Sequence, residues 1–137
     1  GKGHESVREY VFTADAENKD FRKSYESLRI KLYVVAAPYV WNKRAKEYKV
    51  VGVLESAAFD LKRLEEKEDI EIGRMEFAYW SSRSGDTMWR GGKRYEGHVA
   101  EVWHNDKLLD TSASGGLDAR KAYRRYLEEQ EKRGKDD

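Results

Sequence analysis

A serine, a histidine and an aspartate stand in this chain in an order suited to nucleophilic chemistry: Ser56, then His98, then Asp110. The stretch "EGHVAEVWHNDKLLDTSASGG", residues 96 to 116, sets His98 directly after Gly97 at the head of an alternating apolar run and Asp110 at the end of a second run. A hairpin turning near Asn105 would bring residues near 98 opposite residues near 111, so His98 and Asp110 are expected to be neighbours. A carboxylate beside an imidazole fixes the tautomer and favours the charged form, which suits a general base. Ser56 is the nucleophile candidate because it falls near the start of a predicted helix, where free backbone donors and the dipole favour a developing oxyanion. Each residue also has a plainer role. His98 can satisfy the entrance of its strand, Asp110 can cap the loop "TSASGG", and Ser56 can cap a helix or fill a small space.

A second constellation mixes bases, aromatics and glycines. In "WSSRSGDTMWRGGKRY", residues 80 to 95, Arg83, Trp89, Arg90, Lys93 and Arg94 are opposed by Asp86 and, just beyond, Glu96. Such mixtures stack on rings while holding anions, and the glycine-rich loop 83 to 94 is the anion-binding candidate. The plainer role is packing, with Lys and Arg stems covering ring edges. Across the chain, 27 Lys and Arg against 26 Asp and Glu leave a formal charge of +1, so no global field recruits nucleic acid or an anionic membrane. A protein or peptide partner is therefore favoured over nucleic acid, and no membrane partner is expected. The absence of cysteine excludes disulfides, thiolate-bound zinc and a cysteine nucleophile. No phosphate loop, zinc-ligand spacing or calcium loop is present, so neither metal nor cofactor is expected. No apolar run approaches ~18 residues, and "GKGHESVREY" lacks the apolar block of a secretion signal. The expected location is cytoplasmic.

The elements that must position these residues follow from periodicity. "VREYVFT" (7 to 13) alternates as a strand, and Phe21, Tyr25, Leu28 and Leu32 recur at helical steps, predicting a helix over 19 to 33. Pro38 interrupts, and a second helical piece is expected over 39 to 48. Ala58, Leu61 and Leu64 mark the buried stripe of a third helix, 55 to 67. Strands are expected at 70 to 80, with a bend at Gly73, and in a hairpin at 97 to 112; the stretch 81 to 97 reads as loop with a short strand around Met88 and Trp89. Leu117, Ala119, Tyr123, Tyr126 and Leu127 are spaced for a final amphipathic helix. The sum is one α+β domain over 1 to 137, a small antiparallel sheet packed against helices, with 1 to 5 and 134 to 137 frayed.

The stretch from Gly85 to Gly116 resembles the second half of NlpC-type papain-like peptidases, in which a Gly-Asp loop precedes a strand opening with His-Val and the returning strand ends in a third polar residue. The match falls on Gly85, Asp86, His98, Val99 and Asp110. Upstream, "ESAAF" at 55 to 59 is similar to the family's helix start, with Ser56 where the family carries its cysteine. Transglutaminase-like enzymes share this order of elements; in that register Gly52 aligns and the cysteine position falls on Leu54. The resemblance implies a papain-like core and an amide hydrolase or acyltransferase scaffold, with Ser56 as nucleophile, His98 as base and Asp110 orienting it. An alcohol is far less nucleophilic than a thiolate at neutral pH, so it also implies slow or absent turnover, through a replaced cysteine or an inactivated variant. The competing expectation is a noncatalytic binding module that holds a protein partner or a nucleic acid through the basic loop 83 to 94.

Overall fold

Strands dominate the chain. The structure, a computed structural model, describes residues 2–18, 22–39, 47–62 and 68–136. Among these lie β1 (Lys2–Ala16), β2 (Tyr25–Pro38), β3 (Lys49–Glu55), β4 (Phe59–Leu61), β5 (Glu68–Ser84), β6 (Thr87–His104) and β7 (Lys107–Ser114), followed by α1 (Gly116–Asp136). Every pairing is antiparallel, in the order β1-β5-β6-β2-β3, with β4 also on β2 and β7 also on β6.

The long strand β6 serves two sheets. Its first part, Thr87–Gly92, pairs with β5, and its remainder pairs with β2 on one edge and, from His98, with β7 on the other. The change of partner happens at Gly92, where a Cβ would sit 2.3 Å from the Ala78 carbonyl oxygen, so only a glycine lets the strands come this close. Beyond that corner β1 and β5 fold over the sheet formed by β2, β3 and β6. Ile30, Leu32, Val34 and Ala36 of β2 meet Phe12, Ile70, Ile72 and Phe77 in the space between.

The intervening residues of β2 face the other way. Val35 packs on Ala119 and Ala122, and the Tyr33 ring meets Tyr123 and Tyr126 edge-on, so α1 covers the outer face of the same sheet. Small side chains at 119 and 122 let the helix approach closely. Asp118 in its first turn and Arg133 and Lys135 in its last complement the helix dipole. The resulting layers are sheet, sheet, helix, and β2 is buried on both faces from Leu32 to Ala37.

This architecture overturns the α+β expectation, and with it a papain-like core: the described residues are mostly β, with one helix among them. The predicted helix 19 to 33 is instead the first part of β2 from Tyr25, its residues 19–21 lying outside the described ones. Leu28 and Leu32 share a face in a strand as they do in a helix, so their spacing fits both; the alternation of buried Leu28, Ile30 and Leu32 with Arg29 and Lys31 is the strand's period of two, and it ends at Leu32, where both faces become covered. The predicted helix 55 to 67 is the end of β3, a break at Ser56–Ala58 and the short β4, with 63–67 outside the described residues. Of the predicted piece 39 to 48, Tyr39, Glu47 and Tyr48 are not helical and 40–46 lie outside. The stretch read as loop, 81 to 97, is a β-hairpin turning at Gly85–Asp86. Residues 2–5 and 134–136, expected to fray, belong to β1 and α1. The strand at 7 to 13 lies within the longer β1, and the strand at 70 to 80, the hairpin at 97 to 112 and the last helix are all present.

Candidate functional site

His98 and Asp110 are on adjacent strands but not side by side. His98 stands opposite Ser114 on β7 and Val34 on β2, whereas Asp110 stands opposite Val102. Four positions along the strand separate them, roughly 13 Å. The half-buried imidazole instead shares a hydrogen bond with the Tyr95 phenol at Nδ1 (2.5 Å), with the Phe12 ring edge-on at 6.0 Å. Burial raises the Tyr95 phenol, which also takes a hydrogen bond from Ser114, and burial lowers the imidazole. Burial thus favours the protonated phenol and the neutral imidazole. Asp110 is exposed, and its Oδ1 accepts the Thr111 amide at 2.9 Å, a local cap.

Ser56 has no helix to sit on. It is 3% exposed, its Oγ accepts the Ile30 amide (2.9 Å) and donates to the Ala57 carbonyl (3.0 Å), and its own amide donates to the Ile30 carbonyl (2.9 Å). The hydroxyl thus continues the β2–β3 ladder across the break before β4. Strand β2 runs between Ser56 and β6, so the structure does not bring Ser56, His98 and Asp110 together.

The neutral His98 has a measurable consequence. Its folded pKa lies below the ordinary 6.5, so below that pH the unfolded chain binds the proton more readily than the folded one. The stabilisation is complete above the unfolded value and is lost as pH falls towards the folded one. Urea melts between about pH 5 and 8 should show a decline on the acid side that His98→Gln flattens. An unchanged acid limb in the variant would assign the decline to other groups.

Among the described residues, the acidic or basic side chain most completely withdrawn from water is Glu101, at 2% exposure. One carboxylate oxygen accepts from Tyr33 and from the Trp103 indole, both at 2.9 Å, and the other accepts a short hydrogen bond from Tyr123 of α1. Burial, then the adjacent carboxylate, push the Tyr33 and Tyr123 phenols above their ordinary 10.0, so both remain donors. This network fastens the helix to the sheet.

The basic segment becomes an arm built from β1, β5 and the start of β6, and its two faces differ. Arg90 lies 5.4 Å from the Tyr39 ring centre, and Arg94 lies 5.6 Å from Tyr39 and 5.4 Å from Tyr79. These guanidinium groups and rings stack on one another. Arg83 is exposed near the turn, its Nε donating to the Gly85 carbonyl at 3.2 Å, and Lys93 is exposed. The opposite, outer face carries Trp89. Register pairs Ser82 with Trp89, Trp80 with Gly91 and Glu5 with Trp80, so Trp80, Trp89, Val7 and Val11 share that face. All four are exposed, Trp80 at 45% and Trp89 at 58%. Trp80 lies over Gly91, where a Cβ would come within 2.6 Å of the indole.

Sequence reasoning named Trp89 but missed Trp80, Val7 and Val11. The available signal was the alternation Glu5, Val7, Glu9, Val11, opposite in phase to Tyr10 and Phe12: two apolar series on one strand mean that both faces lack a fully polar coat. Among the described residues there is no group of three or more His, Asp or Glu placed to hold a metal, and no helix is long and apolar enough to cross a membrane. Comparison with protein-family models, with curated proteins and with solved structures finds no match.

Proposed function

We propose that this chain is a noncatalytic protein-binding module whose docking surface is the outer face of β1, β5 and the start of β6. The observation that carries this reading is the pair of exposed indoles, Trp80 and Trp89, aligned with Val7 and Val11 on one ordered sheet face. Exposed large apolar side chains set among charged ones in this way mark interaction sites, and tryptophan is enriched among binding hot spots. The surrounding charge selects the partner. Glu5, Glu9 and Glu76 share the face with one base, Arg74, which lies 3.3 Å from Glu9 and 3.5 Å from Glu71. Phosphates are repelled there, whereas apolar anchors flanked by Lys or Arg are complementary. The bases named from the sequence, Arg90 and Arg94, support the arm through Tyr39 and Tyr79.

Selection of binders from a random peptide library tests the surface directly. Selected peptides should combine aromatic or aliphatic anchors with basic residues. Trp80→Ala and Trp89→Ala should each weaken them by about 2 kcal/mol, roughly thirtyfold in Kd, with the thermal melt unchanged. Glu5→Lys with Glu76→Lys should discriminate against the same peptides. Peptides indifferent to both tryptophans would reject the surface. Tight, steeply salt-dependent binding of an oligonucleotide that is lost with Arg90→Ala and Arg94→Ala would replace this reading with nucleic-acid binding.

A further inference from the structure

Behind the acidic docking face the charge of the arm reverses. Strand alternation sends Glu5 and Glu9 outward and turns Ser6, Arg8 and Tyr10 inward, where their register partners are Tyr79, Phe77 and Met75. Arg94 reaches the same place from β6, beyond the corner at Gly92, and Arg8 and Arg94 line one pocket with Tyr10, Phe77, Tyr79 and Tyr95. Its volume is about 80 Å³, room for a single small ion and far below the ~300–1,000 Å³ of sites that enclose a drug-sized molecule.

Packing holds the walls in place. Tyr10 lies 4.7 Å from Tyr95 and 5.7 Å from Phe77, centre to centre, and Phe77 lies 6.1 Å from Tyr95. The Arg94 guanidinium is over two rings, 5.4 Å from Tyr79 and 5.6 Å from Tyr39, which are themselves 4.7 Å apart. A guanidinium whose face rests on rings keeps its in-plane N–H groups for an acceptor. Other arginines of the sheets sit beside carboxylates: Arg74 is 3.3 Å from Glu9 and 3.5 Å from Glu71, and Arg29 is 3.4 Å from Glu55. Among the described residues no Asp or Glu lines this pocket. Two like charges converging without a counter-charge repel each other, and an anion between them replaces that repulsion with attraction.

We infer that this pocket binds a tetrahedral oxyanion, a phosphate or sulfate group, between the forks of Arg8 and Arg94. Such a group offers oxygens to both forks at once, whereas a carboxylate offers a single edge. The site is independent of the docking face, because Arg8 and Trp80 project to opposite sides of the paired β1 and β5.

Titration with sodium phosphate, sodium sulfate and sodium acetate at constant ionic strength, followed by the side-chain N–H resonances of Arg8 and Arg94 and the ring resonances of Tyr10 and Tyr79, tests the assignment. Phosphate and sulfate should shift these resonances saturably, with acetate at least about fivefold weaker. Arg8→Gln and Arg94→Gln should each weaken phosphate about tenfold. Arg83→Gln removes the same charge from the same arm, at a residue that already donates to the Gly85 carbonyl near the turn, and should change binding by less than about twofold. Arg8 is exposed, so its variant keeps the test decisive if Arg94→Gln does not fold. A short phosphoserine peptide that binds more tightly than phosphate, with the same dependence on both arginines, would identify a phosphorylated partner as the source of the group; equal or weaker binding would identify the free anion. Equal weakening by all three arginine variants, acetate as tight as phosphate, or no saturation would overturn the proposal. Trp80→Ala should leave phosphate binding intact, so failure of the docking surface and failure of the pocket are separate results.

Discussion

Glu101→Ala is expected to lower stability by about 3 kcal/mol or more, the largest effect of any single side-chain truncation considered for this chain. The substitution removes the common acceptor of Tyr33, Trp103 and Tyr123. An indole N–H cannot turn into an acceptor, and a buried donor left without a partner costs about 1–3 kcal/mol. The phenols can rotate towards each other or towards water, which limits the sum. Glu101→Gln keeps one acceptor oxygen and should lose about half as much. Urea denaturation of the three proteins measures this, with α1 reported by far-UV circular dichroism. An alanine variant within about 0.5 kcal/mol of the parent would show that the carboxylate's desolvation already cancels its hydrogen bonds.

Gly97→Ala should be comparably damaging, for a reason that lies in the backbone. A Cβ at 97 would lie 2.4 Å from the Ser114 carbonyl oxygen and 2.9 Å from the Gly115 Cα; a Cβ at 115 would lie 2.5 Å from the Glu96 carbonyl oxygen. The two glycines are back to back where β7 leaves β6 and turns into the helix. Neither neighbour is a flexible side-chain end, so the strands must separate, with a loss of about 3 kcal/mol or more. Gly116→Ala is the comparison: its φ of 68° lies in the left-handed region that alanine reaches at modest cost, whereas Gly97 at 150° lies where essentially only glycine goes, and nothing lies within 4 Å of the carbon added at 116. It should cost about 1–2 kcal/mol, the backbone strain alone. Gly97→Ala and Gly115→Ala together should fall short of their sum because they break one contact. Equal losses at 97 and 116 would refute the close approach.

The glycines flanking "HVAEVWHNDKLLDTSAS" look in the sequence like turn formers around a site, and His98 beside Gly97 looks like a poised base. Their spacing is equally that of a close strand crossing, and one chain without its packing does not separate the two. Register decides it. Asp110 falls four positions from the residue opposite His98, beside a bulge at Leu109. Ser56 is another such case, because its neighbours suggest a helix start while its hydroxyl completes a strand ladder.

What the sequence by itself determined is the set of elements whose alternation or helical spacing is legible: much of β1, β5, the β6–β7 hairpin and α1. Tertiary structure alone decided the second half of β2, the run from Leu32 to Ala37, which is covered by a sheet on one side and a helix on the other, erasing its period. It also decided Glu101, which alternation assigns to a face of β6 without saying whether that face meets water. The helix that covers it arrives from the far end of the chain, and burial by a distant segment leaves no local mark on the residues it buries.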